Sequence, residues 1–378
     1  MAMSSRIMIT TKLRYSIYVG AALSVAFPVN TLAVTLQQSL TLPLSIEYET
    51  NPRLSSNNKQ SVRRTTLIPA YSLMATQGNE QFSVNLGLNV ERSSNQSASA
   101  DREDPDLNLG WTHSYETGSY GLTASFSEQS TRTSEFDDTG LVANDNTRQT
   151  HAIGGNWSAA LSDRYTLTFN GNVTKVEFDS ATGSLNDFDN KSFDAQLGYS
   201  VNEQIESYVR AAFSRFEPTT GNKSNTRSIV LGAAWEMSEQ FSLNGNLGIN
   251  KTSGVNSSSG WQAMFDANYM TARTQTQVGL SRSRSPSSAG IVNESNQLSA
   301  GWTYDLSEKE NIGLSFNYQE NLSSNKSKTM RLSADYTRAF APEWDFRLSA
   351  EHRNRDDAAS DVSSNRLSAT IIYKLPDF

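Results

Sequence analysis

The stretch FSVNLGLNVE, from Phe82 to Glu91, alternates strictly between two kinds of side chain. The even positions are all apolar: Phe82, Val84, Leu86, Leu88 and Val90. The odd positions are small or polar and include Asn85, Asn89 and Glu91. Because side chains of an extended chain point alternately to its two faces, this period of two predicts a β-strand with one apolar and one polar face.

The same alternation recurs in eighteen segments of the chain after residue 33, of which TQTQVGLS (Thr274–Ser281) shows it most weakly. Eight short connections, such as LSDR at residues 161–164, alternate with nine longer polar ones, such as Thr131–Asn146. None of the longer connections is expected to form a plug or a constriction. An even number of strands with two alternating classes of connection predicts an up-and-down antiparallel sheet. Closure of that sheet is expected because an open sheet of this length leaves two unpaired edges.

The composition indicates which solvents the two faces of this sheet meet. Only 37% of the residues are hydrophobic, and the mean hydropathy is -0.52. A soluble sandwich also alternates, but its connections do not sort into short turns at one end and long loops at the other. A transmembrane barrel has that arrangement, with an apolar band toward lipid and a polar lumen. We therefore predict an all-β fold: a transmembrane, up-and-down antiparallel β-barrel of about 18 strands.

Aromatic side chains support this interpretation independently, because they cluster at both ends of the apolar strand faces. One group, which includes Trp111, Tyr120 and Trp344, lies beside the short turns. Another, which includes Tyr48 and Trp261, lies beside the long loops. Amphipathic rings collect at both interfaces of a membrane, whereas the core of a soluble β-protein does not place them at both strand ends.

Residues 1–33 are expected to be a secretory signal peptide. Arg6, Lys12 and Arg14 supply positive charge, Ser16–Phe27 is an apolar run, and small residues precede the expected cleavage after Ala33. The apolar run is short for a membrane anchor, which is the alternative. The predicted organisation is a signal peptide at 1–33 and a single barrel domain at 34–378. Export through the periplasm to the cell outer membrane follows from it.

The C-terminal residue, Phe378, resembles the aromatic assembly signal of bacterial outer-membrane barrels, although Pro376 intervenes and Phe378 is out of the apolar phase. The whole mature chain resembles the outer-membrane β-barrel class. This resemblance implies three partners: outer-membrane lipid, lipopolysaccharide and the barrel assembly machinery. The segment SIEYETNPRLSS, from Ser45 to Ser56, is also similar to first strands of porin-like barrels associated with exopolysaccharide loci. That similarity implies export-system proteins as possible partners.

Several functional classes are excluded at this point. The chain has no cysteine, which excludes disulfides and thiolate metal sites. A net charge of -7 and a pI near 5.2 argue against nucleic-acid binding. The three histidines, His113, His151 and His352, all fall in the apolar, outward phase. Asp356 and Asp357 are near His352 in the sequence, but aspartate is common in a polar loop, and a catalytic pair needs partners within hydrogen-bond reach. We expect no enzyme activity, no catalytic or metal site and no cofactor.

The lumen is the remaining place for function. Its inferred lining is mostly Ser, Thr, Asn, Gln and Gly, and a track of aromatic residues that would guide sugars is not visible. Rings of charge tune the selectivity of pores. The candidate selectivity residues fall in the lumen phase of the last three strands: Arg331, Arg347, Glu351, Arg353 and Arg366. The alternative is that these charges are simply solvated and paired across strands.

Two functions stay open from the sequence. The first is a porin-like channel for passive passage of small hydrophilic solutes. The second is an outer-membrane component of an exopolysaccharide export or secretion system. The sequence has no room for a separate periplasmic domain, which favours the first.

Overall fold

A computed structural model describes residues 34–138, 145–179, 185–254, 257–323, 326–357 and 360–375. The predicted signal peptide (1–33) and the terminal Phe378 lie outside the described residues, so both stay predictions.

The described chain forms eighteen antiparallel strands, β1 to β18, and a short helix, α1. The first nine strands are β1 Thr35–Glu49, β2 in two segments (Val62–Leu67 and Ala70–Gln77), β3 Glu80–Ser93, β4 Arg102–Tyr115, β5 Gly118–Ser130, β6 Thr147–Ala160, β7 Tyr165–Asp179, β8 Phe188–Ser200 and β9 Ile205–Pro218. The others are β10 Ser224–Ser238, β11 Phe241–Ser253, β12 Ser258–Met270, β13 Thr274–Pro286, β14 Val292–Ser307, β15 Glu310–Asn321, β16 Ser327–Ala341, β17 Trp344–Asp357 and β18 Ser360–Leu375. Helix α1, Thr131–Asp138, lies between β5 and β6.

Strand β2 is interrupted at Ile68 and Pro69 but remains one strand of the sheet. Both of its segments pair with β1 on one side and with β3 on the other. Pro69 has no N–H to donate, yet its carbonyl accepts a hydrogen bond from the Leu88 N–H at 3.1 Å. The Ile68 N–H donates to the Pro43 carbonyl at 3.0 Å, so the sheet continues across the break.

The sheet closes on itself through β1 and β18. Their ladder runs from Leu40 opposite Leu375 to Glu49 opposite Arg366. Every other strand pairs with its two neighbours in sequence. The ring therefore has no free edge. Pairing between strands supplies the backbone hydrogen bonds that lipid hydrocarbon cannot supply. The predicted fold class is confirmed, including the weakest segment, which forms β13.

The two faces of the barrel wall follow the predicted alternation. Apolar side chains of the outer face are widely exposed, with Ile153 and Ile249 each at 68%. The opening stretch forms β3, with Leu86 between the outward Tyr71 and Leu107. On the opposite face, Asn85 is exposed to the lumen. A strand of about 14 residues rises roughly 45 Å, which is enough to cross a bilayer at the usual tilt.

All short turns lie at one end of the barrel, and both described chain ends lie there too. Thr35 begins β1 and Leu375 ends β18 at this end. The turn after Gln77 needs Gly78, whose φ is +58°, a conformation that L residues with a Cβ rarely adopt. The long connections lie together at the other end, here called the loop end. No helix in the described part of the chain is both long enough and apolar enough to cross a membrane.

Candidate functional site: the loop end of the lumen

Helix α1 turns inward from the β5–β6 connection and lies inside the lumen at the loop end. Five of its side chains are at least nine-tenths buried: Thr131, Arg132, Ser134, Glu135 and Phe136. The Ser130 hydroxyl accepts a hydrogen bond from the Arg132 N–H at 3.2 Å and so caps the start of the helix. The expectation that no long connection narrows the lumen was wrong, because this one does.

Contacts on the opposite side of the barrel hold α1 in place. Its Phe136 ring packs with Leu54 and Val362. The same ring lies under two guanidinium groups, with the carbon of Arg331 5.2 Å and that of Arg353 5.4 Å from its centroid. These distances are in the range of cation–π attraction. Phe136 therefore contacts the wall formed by β16 to β18, although α1 starts from β5.

Polar contacts add two further attachments along α1. The Ser288 hydroxyl, in the connection between β13 and β14, donates a hydrogen bond to the Glu135 carboxylate. Asp138 forms an ion pair with Arg148 of β6, and its carbonyl accepts a hydrogen bond from the Gln319 side chain of β15 at 3.4 Å. The helix thus spans the lumen from β6 to β15.

A continuous network of ion pairs lines the wall around α1. It starts at Glu351, which lies 2.9 Å from Arg366, 3.4 Å from Arg353 and 3.8 Å from Arg331. Arg353 also pairs with Glu49 across the seam where β18 meets β1. Glu49 is 1% exposed and Arg353 is 4% exposed, so this pair is out of contact with bulk water.

The network continues from Glu49 through the first strands to α1. Arg64 lies 2.5 Å from Glu49 and 3.7 Å from Glu91. Glu91 accepts from Arg132 of α1 at 3.2 Å. Arg132, in turn, lies 3.4 Å from Asp145. The helix is therefore joined to the seam of the barrel through alternating charges.

The charges of this network cancel. Its arginines are Arg64, Arg102, Arg132, Arg331, Arg353 and Arg366, and its carboxylates are Glu47, Glu49, Glu91, Asp104, Asp145 and Glu351. A balanced set gives this wall no strong field of one sign. Buried pairs of this kind fix geometry more than they add net stability, but loss of one partner leaves a costly unpaired charge.

The structure brings four of the five predicted selectivity residues together. Arg331, Glu351, Arg353 and Arg366 form one end of the network at the loop end. Arg347 lies apart, nearer the short turns, where its Nε donates to the Thr337 hydroxyl at 3.2 Å. Arg331 and Arg366 keep 26% and 36% of their side chains exposed, whereas Arg353 is buried. Whether any of them selects solutes stays a prediction.

Burial raises the pKa of Glu135 on α1 to about 7. The hydrogen bond from Ser288 and the charge of Arg148 act against this rise, while the nearby Asp138 supports it. Loss of water around the carboxylate dominates, because a charged group is disfavoured in a site of low polarity. Near neutral pH, the protonation state of Glu135 therefore responds to small changes in acidity.

The lumen phase also carries aromatic residues that the sequence analysis underestimated. Val176, Phe178, Phe188 and Phe216 form an apolar cluster on the inner wall of β7 to β9, near the loop end. All four residues have even numbers and so share the phase of lumen residues such as Asn172. This phase could have identified them in the sequence as lumen-facing.

The half of the lumen nearer the short turns is polar and open. Tyr208 lies against Gly232 and accepts a hydrogen bond from Asn246 at 3.2 Å. Asn170 donates to Asp194 at 3.0 Å on an exposed stretch of wall. Among the residues that the structure describes, no group of three or more acidic or histidine side chains is arranged to hold a metal ion. This half can therefore carry water and hydrophilic solutes without specific chemistry.

Comparison with solved structures finds the same barrel in bacterial outer-membrane proteins. A BenF-like porin from Pseudomonas fluorescens Pf-5 matches with 12% sequence identity, covering 90% of this chain and 99% of that chain, at a TM-score of 0.50. Pseudomonas aeruginosa OccK9 (OpdG) matches with 10% identity, covering 90% of this chain and 98% of that chain, also at 0.50. The chain has the fold of the outer-membrane porins.

These likenesses establish the fold of this porin-like barrel. No protein-family model matches the chain, and no curated protein matches it at the level of sequence. Neither of these two porins bears on the similarity to barrels from exopolysaccharide loci, so that similarity stays a prediction.

Proposed function

We propose that this protein is a channel of the outer membrane through which small hydrophilic solutes pass passively. The observation that carries the proposal is a closed barrel of eighteen strands with a polar inner face, which α1 crosses at the loop end. The helix is attached at both ends, so it restricts the path without filling the whole barrel. The solved structures of similar fold include a protein titled a porin, which supports the same class of function.

Within this channel we assign different roles to the predicted selectivity residues. Arg331 and Arg366 remain partly exposed beside α1, so they are the cations that a passing solute meets. Arg353 is buried between Glu49 and the Phe136 ring, so its role is to hold the constriction. Glu351 positions the three arginines, and Arg347 contacts solute nearer the short turns.

The outer face supports a location in the outer membrane. Its exposed apolar side chains need lipid, and the residues nearest the short turns include the aromatic pair Trp111 and Tyr120, whose ring centroids lie 5.4 Å apart. Delivery to this membrane would use the leader at 1–33 and the barrel assembly machinery.

The proposal contains no catalytic step and no cofactor. His113, His151 and His352 all lie on the outer face, as their phase predicted. His113 pairs there with Glu80 at 2.5 Å and stacks on Tyr120. A histidine that contacts the membrane boundary has no access to a solute in the lumen.

Swelling of liposomes in graded sugars tests the proposal. Vesicles that contain the wild-type barrel should swell in small sugars and exclude larger ones. Phe136→Ala removes the ring that anchors α1, so its size limit should rise. Phe265→Ala, on the lipid face and 42% exposed, is the matched control and should leave the limit unchanged.

A folded barrel that admits no sugar, with or without Phe136, would refute passive passage. A component of an export system would then be the better account.

A further inference from the structure

A groove crosses the outer face of β5 to β9, on the side of the wall away from the lumen. Its volume is about 410 Å³, and exposed apolar side chains form its walls. Those wall residues are Leu122, Ile153, Val173, Phe193 and Phe213. Because the outer wall faces lipid and the groove has apolar walls, an acyl chain could lie in it.

Two glycines in the outward phase create the groove. Gly155 of β6 and Gly171 of β7 are directly opposite each other in the ladder. A Cβ added to Gly171 would meet no atom within 4 Å, so neighbouring side chains leave this space open. Gly155 has similar room, because a Cβ added there would have its nearest neighbour, a side-chain atom of Leu122, at 3.4 Å. The depression results from missing side chains, not from a distorted backbone.

A row of cations lies at the loop-end border of this apolar surface. On five consecutive strands, the next outward residue beyond an exposed apolar one is Lys or Arg. The pairs are Val173 and Lys175, Phe193 and Lys191, Phe213 and Arg215, Ile229 and Arg227, and Ile249 and Lys251. Successive outward residues are about 7 Å apart along a strand. Each charge therefore lies about 7 Å beyond the last apolar side chain of its strand, at the edge of the hydrocarbon.

Like charges face each other in this row. Lys191 is directly opposite Arg215, and Arg227 is directly opposite Lys251. Such pairs destabilise a sheet when nothing neutralises them. Arg215 forms an ion pair with Glu217 at 2.5 Å. In the parts of the chain that the structure describes, Lys191, Arg227 and Lys251 form no ion pair.

Acidic residues near the row lie farther from the membrane. Asp189, Glu177 and Glu217 each occupy the next outward position toward the loops. Glu177 lies 2.8 Å from Lys175, and this pair is therefore neutral. A negatively charged group that approaches from the lipid side meets the cations of β8 to β11 first.

Some other cations at the loop end of the outer face form ion pairs within the protein. Arg92 of β3 lies 2.5 Å from Glu103 of β4. Arg282 of β13 forms an ion pair with Glu294 of β14. Beside the groove, by contrast, the cations of β8 to β11 lie on neighbouring strands, where Arg227 is directly opposite Lys251 and Lys191 directly opposite Arg215.

We propose that this surface binds a phosphorylated acyl lipid of the outer leaflet, such as lipopolysaccharide. One acyl chain would lie over Gly155 and Gly171, and the phosphates would neutralise Lys191, Arg215, Arg227 and Lys251. Lys191 contacts the groove itself, so one ligand can reach both parts. The charge complementarity and the position at the apolar border together identify this occupant.

Binding of lipid A to the purified full-length barrel in a non-ionic detergent tests the proposal. The probes are bis-phosphorylated lipid A, its dephosphorylated form and inorganic phosphate. Wild-type protein should bind the phosphorylated lipid best and inorganic phosphate least. Combined Lys191→Gln, Arg227→Gln and Lys251→Gln should weaken binding of the phosphorylated lipid at least about 10-fold.

Two matched controls separate the site from general effects. Combined Arg63→Gln, Lys328→Gln and Arg338→Gln removes three cations from other parts of the outer face and should leave the affinity unchanged. Gly171→Leu should fill the groove and weaken binding, whereas Gly245→Leu, outward on β11, should not. Heat-modifiable gel migration verifies that each variant is folded.

Equal affinity for both forms of lipid A would overturn the proposal, as would unchanged binding by the triple variant of β8, β10 and β11. Unchanged binding by Gly171→Leu would overturn the assignment of the acyl chain to the groove. Binding of inorganic phosphate as tight as that of the lipid would show an anion site without a lipid role.

Discussion

The protonation of Glu135 should control how firmly α1 stays in the lumen. Burial in the docked helix raises the pKa of this carboxyl from 4.5 to about 7. A helix that leaves the lumen exposes the group to water and returns its pKa to the ordinary value. Docking is therefore linked to proton binding.

The sign of the effect follows from the raised pKa. Below about pH 4.5 the carboxyl is protonated whether α1 is docked or not, and docking carries no penalty from charge burial. Between about pH 4.5 and 7 the undocked carboxyl ionises while the docked one stays protonated, so docking weakens as the pH rises through this range. The rise of the pKa from 4.5 to about 7 corresponds to about 3 kcal/mol, roughly a 300-fold change in the ratio of docked to undocked helix.

Single-channel recording across a range of pH measures this effect. Mean conductance should be lower at pH 5 than at pH 8, with the increase complete above about pH 7. Glu135→Gln cannot ionise, so its conductance should stay low and flat over the same range. Glu239→Gln, in the short turn between β10 and β11, is the control and should keep the wild-type profile.

A wild-type conductance that falls as the pH rises would refute this reasoning. So would a Glu135→Gln variant that keeps the full pH dependence, because the titrating group would then lie elsewhere.

Three further predictions concern the wall of the barrel. Leu86→Arg should impair assembly, since a cation at the midplane of the lipid face costs about 2–4 kcal/mol, whereas Asn85→Arg should be tolerated. Equal damage from both variants in heat-modifiable gel migration would contradict the assignment of Leu86 to the lipid face and Asn85 to the lumen. Arg353→Gln should lower the stability against urea by about 1–3 kcal/mol because the buried Glu49 keeps Arg64 but loses one of its two arginine partners, while Arg366→Gln should cost less than about 1 kcal/mol; equal losses would contradict their different burial. Combined Arg331→Gln and Arg366→Gln should shift reversal potentials in a salt gradient toward cations, since fixed charges act within about 10 Å at 0.1 M salt; an unchanged potential would show that these arginines do not face the conduction path.

The fold was accessible from the sequence because a barrel repeats one simple pattern. Each strand, including the weak Thr274–Ser281 segment, places apolar residues at every second position, and the two classes of connection indicate the ends. Closure of the barrel requires no residue pattern beyond this alternation, because it consists only of the pairing of β1 with β18. The interruption of β2 at Pro69 changes the hydrogen bonds locally but leaves the alternation in phase.

The constriction was not accessible for the same reason. Helix α1 has a single apolar side chain at a described position, Phe136, so it shows no apolar stripe of helical period. Its place is set by contacts with residues such as Ser288 and Arg353, which are far away in the sequence and meet it only in the closed ring. The phase of the lumen arginines was correct, but their pairing depends on the seam between β18 and β1.

The central claim is that this barrel is a channel narrowed by α1, and single-channel conductance in planar bilayers tests it most directly. Purified wild-type protein should give discrete conductance steps, and Phe136→Ala should give larger ones. Phe265→Ala should match the wild type. Folded barrels that give no steps in any of the three forms would contradict the account.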